Sequence, residues 1–294
     1  MGVIQEPLAQ LGWIETFKSE IQTDWNDVVA GEWATGVNDG AWSVEAMRGW
    51  IFQIYPFIHT FPKFLAEALI KVEDEHSRSF LIDNIRVEKA HADHWLWMGE
   101  GFGIPRSEMI ALAEGDRPVH RDVQSLTDWI WYINTKGSLA EAVAATSFAI
   151  EGATGDLTRA LLPAFEAYGT RPGVDMNPRT TKWFRNHAKY DDDHPRIAME
   201  VVTRYATNER TQMKVIAATR RSLQLLNLAL LTSTRAAASA AAEVSTTAAL
   251  SPALSMPMKS ERRSADRRMS GQAIAFADRR RAERRTTLST GTRA

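Results

Sequence analysis

The sequence has no cysteine. Disulfides, thiolate metal sites, iron–sulfur clusters and every cysteine-nucleophile mechanism are thereby excluded. It also lacks any uninterrupted apolar run near the ~18 residues of a membrane-spanning helix. The opening stretch MGVIQEPLAQ has no basic region followed by an apolar one, so a cytoplasmic protein without a membrane span is the expectation. Strict apolar/polar alternation and hairpin-type turns are scarce, which argues against β structure. Net charge is nearly absent at −1, yet residues 259–294 hold 11 Lys and Arg against 4 Asp and Glu, so +7 there offsets −8 elsewhere. Whatever the basic end meets, the remainder need not meet it.

What is present reads as helix. Hydrophobic residues make up 44% of the 294-residue chain, enough for a sizeable core, and over 13–232 they recur at helical spacing. Ser43 in WSVEAM, Ser107 in RSEMIAL and the capping box Ser138-Leu-Ala-Glu141 mark helix starts. Gly36, Gly40, Gly103 and Gly137 fall at helix ends, and residues 171–178 (RPGVDMNP) read as a loop before a helix opening near Arg179. The expectation is an all-α bundle of about seven helices, the last packed one spanning 207–232. Beyond it, RAAASAAAEVSTTAALSPALS lacks the large side chains that offset chain ordering. This places a domain boundary near Arg235, with a helical domain over 1–235 and, over 236–294, an Ala/Ser-rich linker and a disordered Arg-rich tail. Doubled arginines in ERRSADRRMSGQAIAFADRRRAERR suit an acidic partner, a nucleic acid or an anionic membrane. With no binding fold or aromatic ladder around them, no specific nucleic-acid binding is expected.

Three segments carry the chemistry. In NHAKYDDDHP the spacing His187-x3-Asp191-x2-His194 puts all three side chains on one face if the segment is a continuous helix. Imidazole and carboxylate are donors that Fe(II) or Mn(II) accepts; the competing reading is a solvated helix end before Pro195. In NIRVEKAHADHW, Glu88 and His91 stand at i and i+3, a pairing that supplies ligands in carboxylate-bridged dimetal bundles. Asn84, one turn earlier, can hydrogen-bond a ligand, whereas His94, beside Trp95 and Trp97, reads as a packed histidine. In ATSFAIEGATG, Glu151 is a lone carboxylate among small and apolar residues, costly to bury unless paired or metal-bound. Trp50, Phe57, Phe61, Trp129, Trp131 and Phe148 are candidates for an acyl-chain pocket or for plain core. Arg86 can steer a substrate anion or face water.

Together, NIRVEKAHADHW, AIEG and HAKYDDDHP resemble the heme-oxygenase-like diiron oxidases of the TenA/PqqC-like superfamily, the "iron-containing redox enzymes". With FPKFLAEALIKV, the likeness is greatest to the branch that decarboxylates medium-chain fatty acids to terminal alkenes. It covers residues 42–205. The resemblance implies that Glu88, His91, Glu151, His187, Asp191 and His194 ligate iron, two Fe(II) per chain with Mn an option, and that O2 is co-substrate. It implies an oxidase acting on a small carboxylic acid, by oxidative decarboxylation or desaturation, or on an amino acid. An electron donor and a homodimer stay open. The family commonly adds a carboxylate from the preceding helix, where YPFIHTFP offers only His59; His59 or Glu67 could replace it, or one iron could be labile. Thiaminase-type relatives use a cysteine, which is missing here. The rival readings are a non-catalytic ligand- or metal-sensing protein whose basic tail binds a partner, and a cofactor-free PqqC-like oxidase.

Overall fold

In the computed structural model, residues 5–189 and 193–250 are described. Asp191 and residues 251–294, with the Arg-rich tail, lie outside them. All regular structure among the described residues is helical. The chain runs through α1 (Gln5–Val29), α2 (Glu32–Asn38), α3 (Val44–Leu69), α4 (Glu75–Gly101), α5 (Arg106–Ala113) and α6 (Arg121–Lys136). A continuous rod follows, made of α7 (Leu139–Val143), a π-helical stretch (Ala144–Glu151) and α8 (Gly152–Ala167). Then come α9 (Lys182–Lys189), α10 (Asp193–Tyr205) and α11 (Glu209–Leu250).

The all-α bundle is as expected. More helical segments are present than the expected seven because a short helix such as α2 does not show up in the long periodicity. Caps behave as the side chains dictate. Ser43 accepts from the Ala46 amide, and Ser138 with Glu141 forms the reciprocal capping box. At α5 the cap is Pro105 rather than Ser107, which sits inside the helix.

Packing follows from spacing. On α3, Met47, Trp50, Ile54, Phe57, Phe61 and Phe64 alternate three and four apart, and all are buried. This stripe packs against α4 on one side and α11 on the other. The last helix does not end near 232; it continues through the Ala-rich segment to Leu250. Alanine has the highest helix propensity, and a small residue suits the crossing at Gly49, where a Cβ would stand 2.0 Å from that of Ala237. Thr234 adds a polar tie by accepting from the Trp33 indole at 2.8 Å. Further down, Asp24 on α1 accepts from Arg220 (2.7 Å) and Gln224 (3.0 Å) of α11.

Candidate metal centre

On α4, the buried stripe Leu81, Asn84, Glu88, His91, Trp95 and Met98 steps three and four residues at a time. A stripe with this period should be apolar, but its middle carries an amide, a carboxylate and an imidazole. Glu88 and His91 are 5% and 3% exposed, and His91 Nδ1 lies 2.9 Å from Glu88 Oε1.

Glu151 arrives from the opposite wall. It closes the π-helical stretch, whose wider turn offsets every later side chain from α-helical register; such turns recur at functional sites. Buried polar contacts hold the stretch: Asn134 donates to Thr146 Oγ1 at 2.6 Å, and Asn84 Nδ2 lies 3.4 Å from Ser147 Oγ. Asn84 Nδ2 also donates to Glu151 Oε1 at 2.8 Å, so α4 positions this carboxylate directly.

His187 comes from α9, which presents Trp183, Phe184 and His187 inward. Phe184 stacks on Phe165 of α8 at 3.9 Å, and Trp183 stands edge-on to Trp95 at 4.6 Å. His187 Nδ1 is 2.9 Å from the Trp183 carbonyl, so the proton sits on Nδ1 and Nε2 keeps its lone pair. His194, near the start of α10, places Nδ1 3.4 Å from Glu151 Oε2. That helix is pinned at its other end, where Tyr205 donates to Asp74 Oδ2, the α4 cap, at 2.6 Å.

Ligand atoms of Glu88, His91 and His187 all lie within 4.8 Å of one another. Burial, reinforced by His91, pushes the His187 imidazole well below its ordinary pKa, keeping it a neutral donor. Burial also raises the Glu151 carboxyl; the contact with His194 opposes this, and the neighbouring Glu88 carboxylate adds to it. Burial thus disfavours the charged form of Glu151, a penalty that a bound cation would offset. Without a thiolate, the set suits Fe(II) or Mn(II) better than a structural zinc. Asn84 Oδ1, buried beside them, has no hydrogen-bond partner. By its donor chemistry the site fits iron.

Glu88, Glu151 and His187 line two cavities at once. One, about 50 Å³, is apolar, walled by Trp33, Trp50, Trp95, Trp183, Phe57 and Phe61. The other, about 200 Å³, is a polar mouth that includes His91, His194, Trp25, Asp156 and Arg159.

Residues 48–227 match the family described as iron-containing redox enzymes. The chain belongs to that family. Its fold is heme-oxygenase-like. A TenA homologue from Pseudomonas syringae pv. tomato is 25% identical with a TM-score of 0.67, over 76% of this chain and 93% of that one. A domain of unknown function with a heme oxygenase-like fold from Shewanella denitrificans is 18% identical with a TM-score of 0.62, over 76% and 92%. A putative TenA-like thiaminase from Sulfolobus solfataricus is 12% identical with a TM-score of 0.53, over 74% and 96%. The last two show the fold alone. No curated protein matches the sequence.

In this member of the family, Glu88, His91 and His187 come together, with Glu151 and His194 alongside. His187 lies near the end of α9 and His194 near the start of α10; Asp191, and with it the single-face expectation for 187–194, lies outside the described residues. His59 is exposed, with Lys63 and Glu114 as charged neighbours, and Glu67 lies by Lys71. The cavity wall that α3 supplies is Trp50, Ile54, Phe57, Ile58 and Phe61, without a carboxylate. His94 is packed as expected, its ring 5.1 Å from that of Trp97. Burial, with His91 and Lys182, lowers its pKa to about 4. Trp50, Phe57 and Phe61 line the apolar cavity and Phe148 the mouth. Trp129 instead donates to Ser222 on α11, and Trp131 is 41% exposed. Arg86 is 75% exposed and paired with Asp83. The arginine at the mouth is Arg159, which spacing alone did not single out; its only sequence signal is a place two turns after Glu151 in IEGATGDLTR.

Proposed function

We propose that this protein is a non-heme iron oxidase, holding two irons per chain, that uses O2 to cleave or desaturate a small carboxylic acid, such as a medium-chain fatty acid, or to oxidise an amino acid. The observation that carries this reading is the convergence of Glu88, His91 and His187 within 4.8 Å, between an apolar cavity and a polar mouth, in a chain of the iron-containing redox family. Glu88, His91 and His187 would hold iron, with Glu151, His194 and Asp191 completing the set. Bound iron(II) supplies O2 activation beside a substrate C–H or N–H bond.

This chain's own residues do the rest. The Trp183 carbonyl fixes the His187 tautomer, and the Asn84 amide, by donating to it, fixes the Glu151 carboxylate. The apolar cavity gives the ligands a wall of rings that keeps water from the substrate's reacting end. Arg159, paired with Asp156 at 2.8 Å, lends the mouth a cation that an acid group can approach.

Anaerobic loading with Fe(II), a metal count per chain, and O2 uptake with a panel of fatty and amino acids test the reading. Near two irons per chain and substrate-dependent O2 consumption are expected. No retained iron and no O2 uptake would refute it.

A further inference from the structure

The polar mouth adjoins a larger space. Phe148 and Pro195 line both the mouth and an outer groove of about 690 Å³. The apolar cavity of about 50 Å³ and the mouth of about 200 Å³ fall below the ~300–1,000 Å³ usual for ligand pockets, and the groove falls within that range. Its walls are α1 and α10. Phe148 stands at the junction, its ring 5.3 Å from that of Phe17 and 5.5 Å from that of Trp25 on α1. Along α10 the lining steps four residues at a time through Pro195, Met199 and Thr203, so one face of the helix leads outward from the mouth. Along α1 the direction is reversed: Trp25 lines the mouth, whereas Lys18 and Ile14 line the groove.

Charge is placed unevenly along this groove. Arg196, beside the mouth, pairs with Glu200 one turn on, and Glu200 also meets His76 Nε2 at 3.3 Å. Further out, Arg204 only approaches Asp74, at 3.4 Å, and that carboxylate already accepts from Tyr205 at 2.6 Å and Ser77 at 2.7 Å. On the α1 wall, Lys18 makes no ion pair among the described residues. From the helical rise, Lys18 lies about 10 Å along α1 from Trp25, and Arg204 about 13 Å along α10 from Pro195. Two weakly neutralised cations thus stand at comparable distances from the mouth, one on each wall. We propose that the groove holds the body of an elongated acid, with its reacting end in the mouth and a second anionic group, a carboxylate or a phosphate, at Lys18 and Arg204. The inference rests on reading the mouth as the way to the metal centre. A plain fatty acid would lay its apolar end against these cations, whereas a second anion would meet them, and arginine can grip it through two donors.

The test is anaerobic calorimetric titration of the full-length protein with α,ω-dicarboxylic acids from octanedioic to hexadecanedioic acid, each beside the monocarboxylic acid, the ω-hydroxy acid and the ω-phosphono acid of equal length. At one length, an ω-carboxylate or ω-phosphonate should tighten binding about fivefold over the monoacid, the scale of two part-exposed ion pairs, and the ω-hydroxyl should not. Whichever anion gains more names the distal group. The gain should fall to near unity in the Lys18→Gln/Arg204→Gln double variant, with monoacid binding unchanged. In the unmodified protein it should shrink as salt is raised, which keeps the question answerable if the double variant fails to fold. No length at which a second anion adds affinity, or a gain that survives the double substitution, would overturn the proposal. Because affinity is read without O2 or turnover, its failure leaves the oxidase reading to the iron count, and a failed iron count leaves the preference for a second anion readable.

Discussion

The two sides of the wall formed by Glu88, Glu151 and His187 are built differently. The apolar side is made of large rings from α2, α3, α4 and α9, with Leu226 and Leu230 of α11 behind them. The polar side is made where α1, the π-helical stretch, α8 and α10 meet, and it carries glycines, an Asp/Arg pair and two further histidines, His91 and His194. One side excludes water by filling space; the other admits polar groups by leaving space open. The same three side chains face both, so a molecule with an apolar body and a polar head can meet them at its junction.

The largest effect should come from the wall itself. His187→Ala removes an imidazole that would hold iron, and Asn84→Ala removes only the amide that holds Glu151. Asn84→Ala should weaken iron binding about 10–100-fold, with His187→Ala weaker still, both read as metal per chain after gel filtration. Unchanged iron in His187→Ala would break the comparison at its centre.

A smaller effect separates two glycines of the mouth. At Gly152 a Cβ would stand 2.8 Å from Trp25 Cη2, whereas at Gly155 it would meet only the His187 carbonyl at 3.9 Å. Gly152→Ala should therefore lose about 1–3 kcal/mol of stability by overpacking. Gly155→Ala, in open space within a helix, should be neutral or gain up to about 1 kcal/mol. Chemical denaturation of both variants checks the sign; equal shifts would mean that the mouth is not tightly set at Gly152.

The smallest effect belongs to Arg159, which is 44% exposed and already paired. Arg159→Ala should weaken binding of an acid by about threefold, an interaction of under 1 kcal/mol as expected near solvent, and leave binding of the matching alcohol unchanged. Equal weakening of both would remove the charge argument for the mouth.

Much of this was legible in the sequence where one helix carried the signal. Asn84, Glu88 and His91 interrupt an otherwise apolar stripe on α4, and a 3.6-residue period is enough to see it. Glu151 stood out as a carboxylate among small residues, but its direction was not legible, because the π-helical turn breaks that period just before it. His187 and His194 stood out by their spacing, and both line the mouth beside Glu88 and Glu151. Trp129 and Trp131 looked like Trp50 as pocket candidates, and only packing separates a ring on the cavity from one against α11 or near solvent. Arg159 had no local signal, since a charged residue two turns beyond Glu151 is ordinary on a helix surface.

The amino-acid order alone determined the helical class, most cap positions and the absence of thiolate chemistry, because these depend on residue type and on neighbours within a turn or two. Which residues meet was decided by the tertiary structure. Glu88, Glu151 and His187 are far apart in the chain and come together only because α4, the π-helical stretch and α9 pack around a shared core. A buried carboxylate finds its partners through that packing and not through its place in the sequence.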